Sequence, residues 1–228
     1  MLPPDEFPVR SCFSHKVFPP YCVPMGMTSH RTTSMLPMMG DREIRIVEKA
    51  LLDANGTPLR VLEWGCGGST VYFPRMLARH GIEYSWVSLE YKREWYLAVS
   101  EQVKEDPNVR LVLFEVVGED PWSRACRMDE YVSFPATLGT EFDVILVDGR
   151  KRRRCLLEVK SLLAPGGVVF LHDAQRRRYH CALVDYPDSC FLTRKLWRGT
   201  NEVLPRGSRM RNKILSVFRL RLGKYIPL

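Results

Sequence analysis

"VLEWGCGGST", residues 61–70, is an apolar run that breaks into three glycines within four residues and then into two hydroxyl side chains. Glycine lets the backbone take a positive φ or approach another group closely, and it loses more conformational entropy on folding than any other residue. Three glycines directly after a strand therefore imply either a very tight turn or a partner lying against the backbone. What the rest of the chain supplies decides between the two.

From residue 59 onward the sequence alternates short β-branched runs with helical patterns. Strands are predicted over "LRVLEWG" (59–65), "YSWVSLE" (84–90), "VRLVLFEVV" (109–117), "FDVILVDG" (142–149) and "GVVFLHD" (167–173). The four intervening segments are each long enough for a crossover helix, which gives a doubly wound parallel α/β sheet. Two further strands are expected at 190–198 and 213–220, closing the fold with an antiparallel hairpin. Before the sheet, "GDREIRIVEKALLDANG" reads as a helix capped by Asp41, with Ile44, Val47, Ala50 and Leu51 on one face and Asn55-Gly56 ending it. Residues 1–40 carry most of the methionines and no lasting period, so they are expected to be an irregular Pro/Met-rich extension or lid, with the domain proper at 41–228.

Composition narrows the class. The seven cysteines form no C-x-x-C pair, which suggests neither a zinc ribbon nor a disulfide framework. No apolar run reaches the ~18 residues of a membrane span, and the N-terminus lacks a signal-peptide profile. A cytoplasmic location and no membrane partner are expected. The net charge of +8 hides an asymmetry: residues 150–228 hold 19 basic and 5 acidic residues, against 15 and 21 in residues 1–149. Partner arguments belong to the basic half.

In such sheets ligands bind at the carboxyl ends of the strands. Here those ends carry Glu63, Glu90, Glu119-Asp120, Asp148 and His172-Asp173, an acidic edge suited to hydroxyls, amines and a cation. A nicotinamide dinucleotide fingerprint would need G-x-G-x-x-G, but Thr70 replaces the third glycine. Glu90 would serve a ribose under either reading.

"LEWGCGGST" resembles the first motif of the class I S-adenosylmethionine-dependent methyltransferases, an acid followed by G-x-G-x-[ST]. "VSLEYKREWY" resembles their second strand with its ribose-binding acid, and "FDVILVDGRKRRRC" and "LAPGGVVFLHDA" resemble their fourth and fifth strands. The resemblance spans roughly residues 42–220 and implies a Rossmann-like, mostly parallel seven-stranded sheet whose last strand is antiparallel. It implies S-adenosyl-L-methionine as cofactor. Gly65, Gly67 and Gly68 would make room for its methionine part while Glu63 faces its charged end. Glu90 would accept the ribose hydroxyls, Gly118 and Glu119 would flank the adenine, Ser69 or Thr70 would cap the following helix, and Asp148 would complete the cofactor set.

For the transfer itself, His172 is the candidate general base, with Asp148 and Asp173 beside it. Metal-dependent relatives hold Mg²⁺ with an acid after the fourth strand and an Asp-Asn pair after the fifth. Asp148 and Asp173 match two of those positions, but Ala174 stands where the Asn would be, so no metal is expected. Arg152 shares the helical sector of Cys155 and Val159, which turns it inward; together with Arg176 it is the expected contact for an anionic acceptor, small-molecule or polymer-borne, methylated at oxygen. The competing reading of Arg152 is a brace on Asp148 or Asp173. The alternative function is a basic nucleic-acid-binding protein or an RNA methyltransferase, but no aromatic-interleaved RNA motif is present.

Overall fold

The five predicted parallel strands form β1 (Leu59–Trp64), β2 (Tyr84–Glu90), β3 (Val109–Leu113), β4 (Phe142–Val147) and β5 (Leu163–Leu171) in the computed structural model. It describes residues 35–116, 121–203 and 205–222, with the backbone alone at 121–126 and at 222. Helices α1 (Asp41–Asp53), α2 (Gly68–Arg79), α3 (Arg93–Val103), α4 (Pro121–Ser133) and α5 (Arg152–Leu162) precede or connect them. The chain then runs through the short α6 (His180–Leu183), β6 (Asp188–Phe191), β7 (Trp197–Thr200) and α7 (Arg206–Leu222).

The sheet order is β3-β2-β1-β4-β5-β7-β6; β7 runs antiparallel to β5, and β6 antiparallel to β7. Strand order reverses between β1 and β4. That reversal opens a crevice beyond their carboxyl ends, and it positions everything described below.

Period-two alternation sorts the strand side chains onto two buried faces. Leu62, Trp64, Ile145, Val147, Val169 and Leu171 join one core, which takes in Cys155, Leu156 and Val159 of α5. Leu59, Val61, Val144, Leu146 and Phe170 join the other, with Val47 and Leu51 of α1 and Phe73 of α2. Both faces are covered, so the strands read as nearly continuous apolar runs.

Several boundaries differ from the sequence reading; β3, expected over 109–117, stops at Leu113. Strand β5 begins at Leu163, four residues early, because the register jumps from Phe142↔Leu163 to Val144↔Val168 across the Pro165-Gly166-Gly167 irregularity. The hairpin lies wholly within 188–200: Thr193–Lys195, which looked like mid-strand, is its turn, with Leu192 N–H donating to Leu196 O at 2.8 Å and Thr193 Oγ1 accepting from Lys195 and Leu196 N–H. Residues 213–220 are not a strand but the body of α7. Read alone, "KILSVFRL" is too short to separate the two periods. With Met210 included, the apolar side chains Met210, Ile214, Val217 and Phe218 recur every three or four residues, and Pro205 precedes the first turn.

Candidate active site

The three glycines after β1 do three different things. Gly65 has φ +100°, and a Cβ there would lie 2.7 Å from Cα of Gly149, so the turns after β1 and β4 touch backbone to backbone. A Cβ on Gly68 would fall 1.9 Å from the carbonyl oxygen of Leu36, so the chain leading into α1 runs across that glycine. A Cβ on Gly67 would meet nothing within 4 Å. One glycine thus serves the turn, one serves the crossing chain, and one leaves open space.

Glu63 explains why the strand stops on an acid. It is fully buried beneath the turn, where Ser69 Oγ donates to Oε1 while Thr70 Oγ1 (2.6 Å), Ser88 Oγ (2.9 Å) and Trp86 Nε1 (3.1 Å) donate to Oε2. Burial pushes its carboxyl up to about 7 against the pull of those four donors. Thr70 Oγ1 also accepts from Gly67 N–H at 3.0 Å, which satisfies one of the free amides at the start of α2. Glu63 therefore does not face the cavity. It ties the glycine turn and α2 to β2 from below, a correction to the expected contact with a ligand's charge.

Glu90, at the end of β2, accepts from Tyr91 N–H and Lys92 N–H, both at 2.8 Å, through Oε1. Burial raises its carboxyl above the ordinary range, and the two amides hold it back. Gly118 and Glu119 lie outside the described residues.

After β4 and β5 the predicted residues do come together, but as a closed ionic cluster. Arg152 forms ion pairs with Asp148 (2.8 Å) and Asp173 (3.4 Å) and donates to the carbonyl oxygens of Gly149 (2.9 Å), His172 (2.6 Å) and Asp148 (2.6 Å). All three guanidinium nitrogens are used, and its side chain is 11% exposed. It turns inward as its helical phase required, but as a brace, not as a free contact for an acceptor. Its guanidinium holds the space between Asp148 and Asp173 that a divalent cation would need. Asp173 has φ +57° and also pairs with Arg176 at 2.6 Å; burial would raise its carboxyl, yet Arg152, His172 and Arg176 together lower it.

His172 is 7% exposed and sits between two carboxylates, with Nδ1 3.2 Å from Asp148 Oδ1 and Nε2 3.5 Å from Glu43 Oε2. Burial alone would depress its pKa, but the two acids outweigh burial and lift it to about 9. Held between two carboxylates and not among the residues that line the cavity, His172 is not placed to take a proton from a ligand there. The predicted catalytic role for His172 is corrected to a positive charge that joins α1 to the strand tips. Glu43 escaped the sequence reading. It shares the buried stripe of Val47 and Leu51 at i, i+4 and i+8, and a lone acid on that stripe was the available signal.

Above this cluster lies a cavity of about 1210 Å³, lined by Gly65–Ser69, Glu90, Asp148 and a cationic rim. His172, Asp173 and Glu63 do not line it. On the rim, Arg150 donates to Tyr91 OH at 2.8 Å and lies over the Tyr91 ring, and Arg178 lies over Tyr179. Arg150, Lys151, Arg153 and Arg178 have no carboxylate within ion-pair distance among the described residues, whereas Arg154 pairs with Asp129 and Arg93 with Glu115.

Residues 62–174, from β1 to just past β5, match a methyltransferase-domain family. The chain belongs to the class I S-adenosylmethionine-dependent methyltransferases. Among solved structures it is similar to a methyltransferase-like protein from Silicibacter pomeroyi, 24% identical with a TM-score of 0.56, covering 78% of this chain and 95% of that one. A precorrin 8w decarboxylase from Methanobacterium thermoautotrophicum is 16% identical with a TM-score of 0.47, covering 72% and 93%. No curated protein matches the chain. The methyltransferase assignment carries S-adenosylmethionine as cofactor, and the seven-stranded order with its antiparallel hairpin agrees with it.

Proposed function

We propose that this methyltransferase transfers the methyl group to an oxygen that enters the site already ionised, a carboxylate above all, on a small or polymer-borne anionic acceptor. The observation that carries the reading is the contrast within one cavity. Its floor offers a backbone opening at Gly67 and the Glu90 carboxylate, and its rim offers five cations, Lys92, Arg150, Lys151, Arg153 and Arg178, without acid partners among the described residues. Among the described residues no histidine lines the cavity, and Oδ1 of Asp148 is engaged by both Arg152 and His172. An acceptor that needs no deprotonation suits such a site.

S-adenosylmethionine supplies an activated methyl group on a sulfonium, so the protein's part is alignment and exclusion of water. Gly67 leaves room against the backbone, and Gly65 and Gly68 hold that turn in place. Glu90 accepts ribose hydroxyls, since a carboxylate has two acceptor oxygens and no donor of its own. Arg150, Lys151, Arg153 and Arg178 bind and orient the acceptor's negative charge, and Arg176 stands beside them, half committed to Asp173. The volume exceeds the ~300–1,000 Å³ of a single small-ligand pocket, in keeping with two molecules bound together. Cations converging on a concave cavity favour a compact anion over the nucleic-acid alternative.

Two measurements test this. In calorimetry with S-adenosylhomocysteine, Glu90→Ala is expected to weaken binding by about 1.5–3 kcal/mol, the loss of charge-assisted hydrogen bonds. Unchanged affinity would remove Glu90 from the cofactor site. With methyl-labelled cofactor and a panel of carboxylates, the label is expected in products that release methanol in mild alkali, as esters do. Label retained through that treatment, in an ether or an amine, would overturn the carboxylate reading while leaving methyl transfer standing.

A further inference from the structure

Helix α7 is amphipathic the wrong way round. Apart from Leu220, which packs on the core, its protein-facing side is polar: Ser216 Oγ accepts from Phe191 N–H at 2.9 Å, Asn212 Nδ2 donates to Asp188 Oδ1 at 2.9 Å, and an Arg219 guanidinium nitrogen donates to Phe191 O at 3.1 Å. These bonds occupy polar groups along β6, the edge strand of the sheet, which would otherwise be open to another strand. The apolar residues point outward instead: Met210 is 63% exposed, Ile214 51%, Val217 53% and Phe218 47%. At 100° per residue the four span about a 100° sector, a continuous apolar stripe along the outer side of a helix about 25 Å long. A surface helix normally turns such a stripe to the core, and a stripe left outside marks an interaction surface.

Charge selects the partner. The helix carries Arg206, Arg209, Arg211, Lys213, Arg219 and Arg221 and no acidic residue. Arg211 and Lys213 flank the apolar stripe and Arg221 falls within it, all three exposed. A second copy of the chain laid against this stripe would set these cations against their own kind with no carboxylate on the helix to receive them. A layer of anionic headgroups over hydrocarbon meets both features: apolar side chains sink into the acyl boundary, and the long basic side chains reach up to the headgroups.

We propose that α7 lies in the interface of an anionic lipid membrane and holds the methyltransferase at that surface. No described helix is long and apolar enough to cross a membrane. The sequence expectation of no membrane partner rested on the lack of a spanning segment, which a helix lying in the interface does not need.

The full chain should cosediment with phosphatidylcholine/phosphatidylglycerol vesicles and bind pure phosphatidylcholine at least about tenfold more weakly, with added salt reducing the first. Ile214→Asp with Phe218→Asp should abolish sedimentation while melting temperature and S-adenosylhomocysteine affinity stay unchanged, since neither side chain touches the fold's core or the cavity. Equal binding to neutral vesicles, or none to anionic vesicles at low salt, overturns the proposal. So does a self-associated form that the same two substitutions render monomeric, which would make the stripe an interface between copies. Binding to an acidic polypeptide that the two substitutions weaken as much as vesicle binding would assign the stripe to a protein partner instead.

Discussion

Arg152→Ala is expected to destabilise the protein by about 3–5 kcal/mol and to lower cofactor affinity as well, because it removes one partner from a largely buried ion cluster. The substitution strips Asp148 and Asp173 of their shared counter-charge and leaves the carbonyl oxygens of Gly149, His172 and Asp148 without a donor. Gly149 abuts Gly65, so slack in the β4 turn reaches the glycine turn directly. For a chain of this length the loss corresponds to roughly 10 °C in melting temperature. Arg152→Lys should not rescue it, since one ammonium cannot serve three carbonyls and two carboxylates in a fixed fork. Arg153→Ala makes the contrast: exposed and without an acid partner, it should leave stability within about 0.5 kcal/mol and act on acceptor binding alone. Thermal melts and calorimetry on the two variants decide the matter. A normal melting temperature with only acceptor binding lost in Arg152→Ala would return that arginine to substrate recognition.

The second large effect is on pH dependence. The folded-state pKa of His172 is raised from 6.5 to about 9, so the stability it contributes is fully present below pH 6.5 and is lost as pH rises through 9. A displacement of that size corresponds to about 3 kcal/mol. Its partner Glu43, lowered from 4.5 to about 2, contributes stability that is present above pH 4.5 and lost as pH falls through 2; both describe one interaction and are not added. Glu63 works in the opposite sense for an acid: raised to about 7, it makes the fold less stable as pH climbs from 4.5 to 7. Comparing wild type with His172→Gln cancels that background. The stability difference should be largest near pH 6 and shrink between 6.5 and 9, the variant itself keeping only the Glu63 slope up to about pH 7. Parallel melting curves across pH 6–9 would mean that His172 is not held charged between Glu43 and Asp148. Methyl transfer by His172→Gln at a temperature where it is folded should persist, because the imidazole does not line the cavity.

How much of this could be read beforehand depends on the range of the interactions. The five parallel strands, the crossover helices and the inward phase of Arg152 follow from periodicity, which is local, and they stand in the structure almost as read. The glycine turn was legible as a motif, but its three glycines look alike in sequence. Only the neighbours that folding brings in, Gly149 for Gly65 and Leu36 for Gly68, separate the structural two from the open one. The C-terminal segment failed because eight residues carry too little period to tell strand from helix, and because an outward-facing stripe breaks the pattern that would have distinguished them. Charge identity was visible everywhere, but charge partnership was not. The meeting of Glu43 with His172, 129 positions along the chain, sets that histidine's protonation, and it exists only once α1 packs against the ends of the strands. Sequence by itself determined the sheet, the cofactor class and the places where acids and bases stand. Tertiary structure alone decided which of them neutralise one another and which remain free for a ligand, because a charge's role depends on what lies within a few ångströms of it.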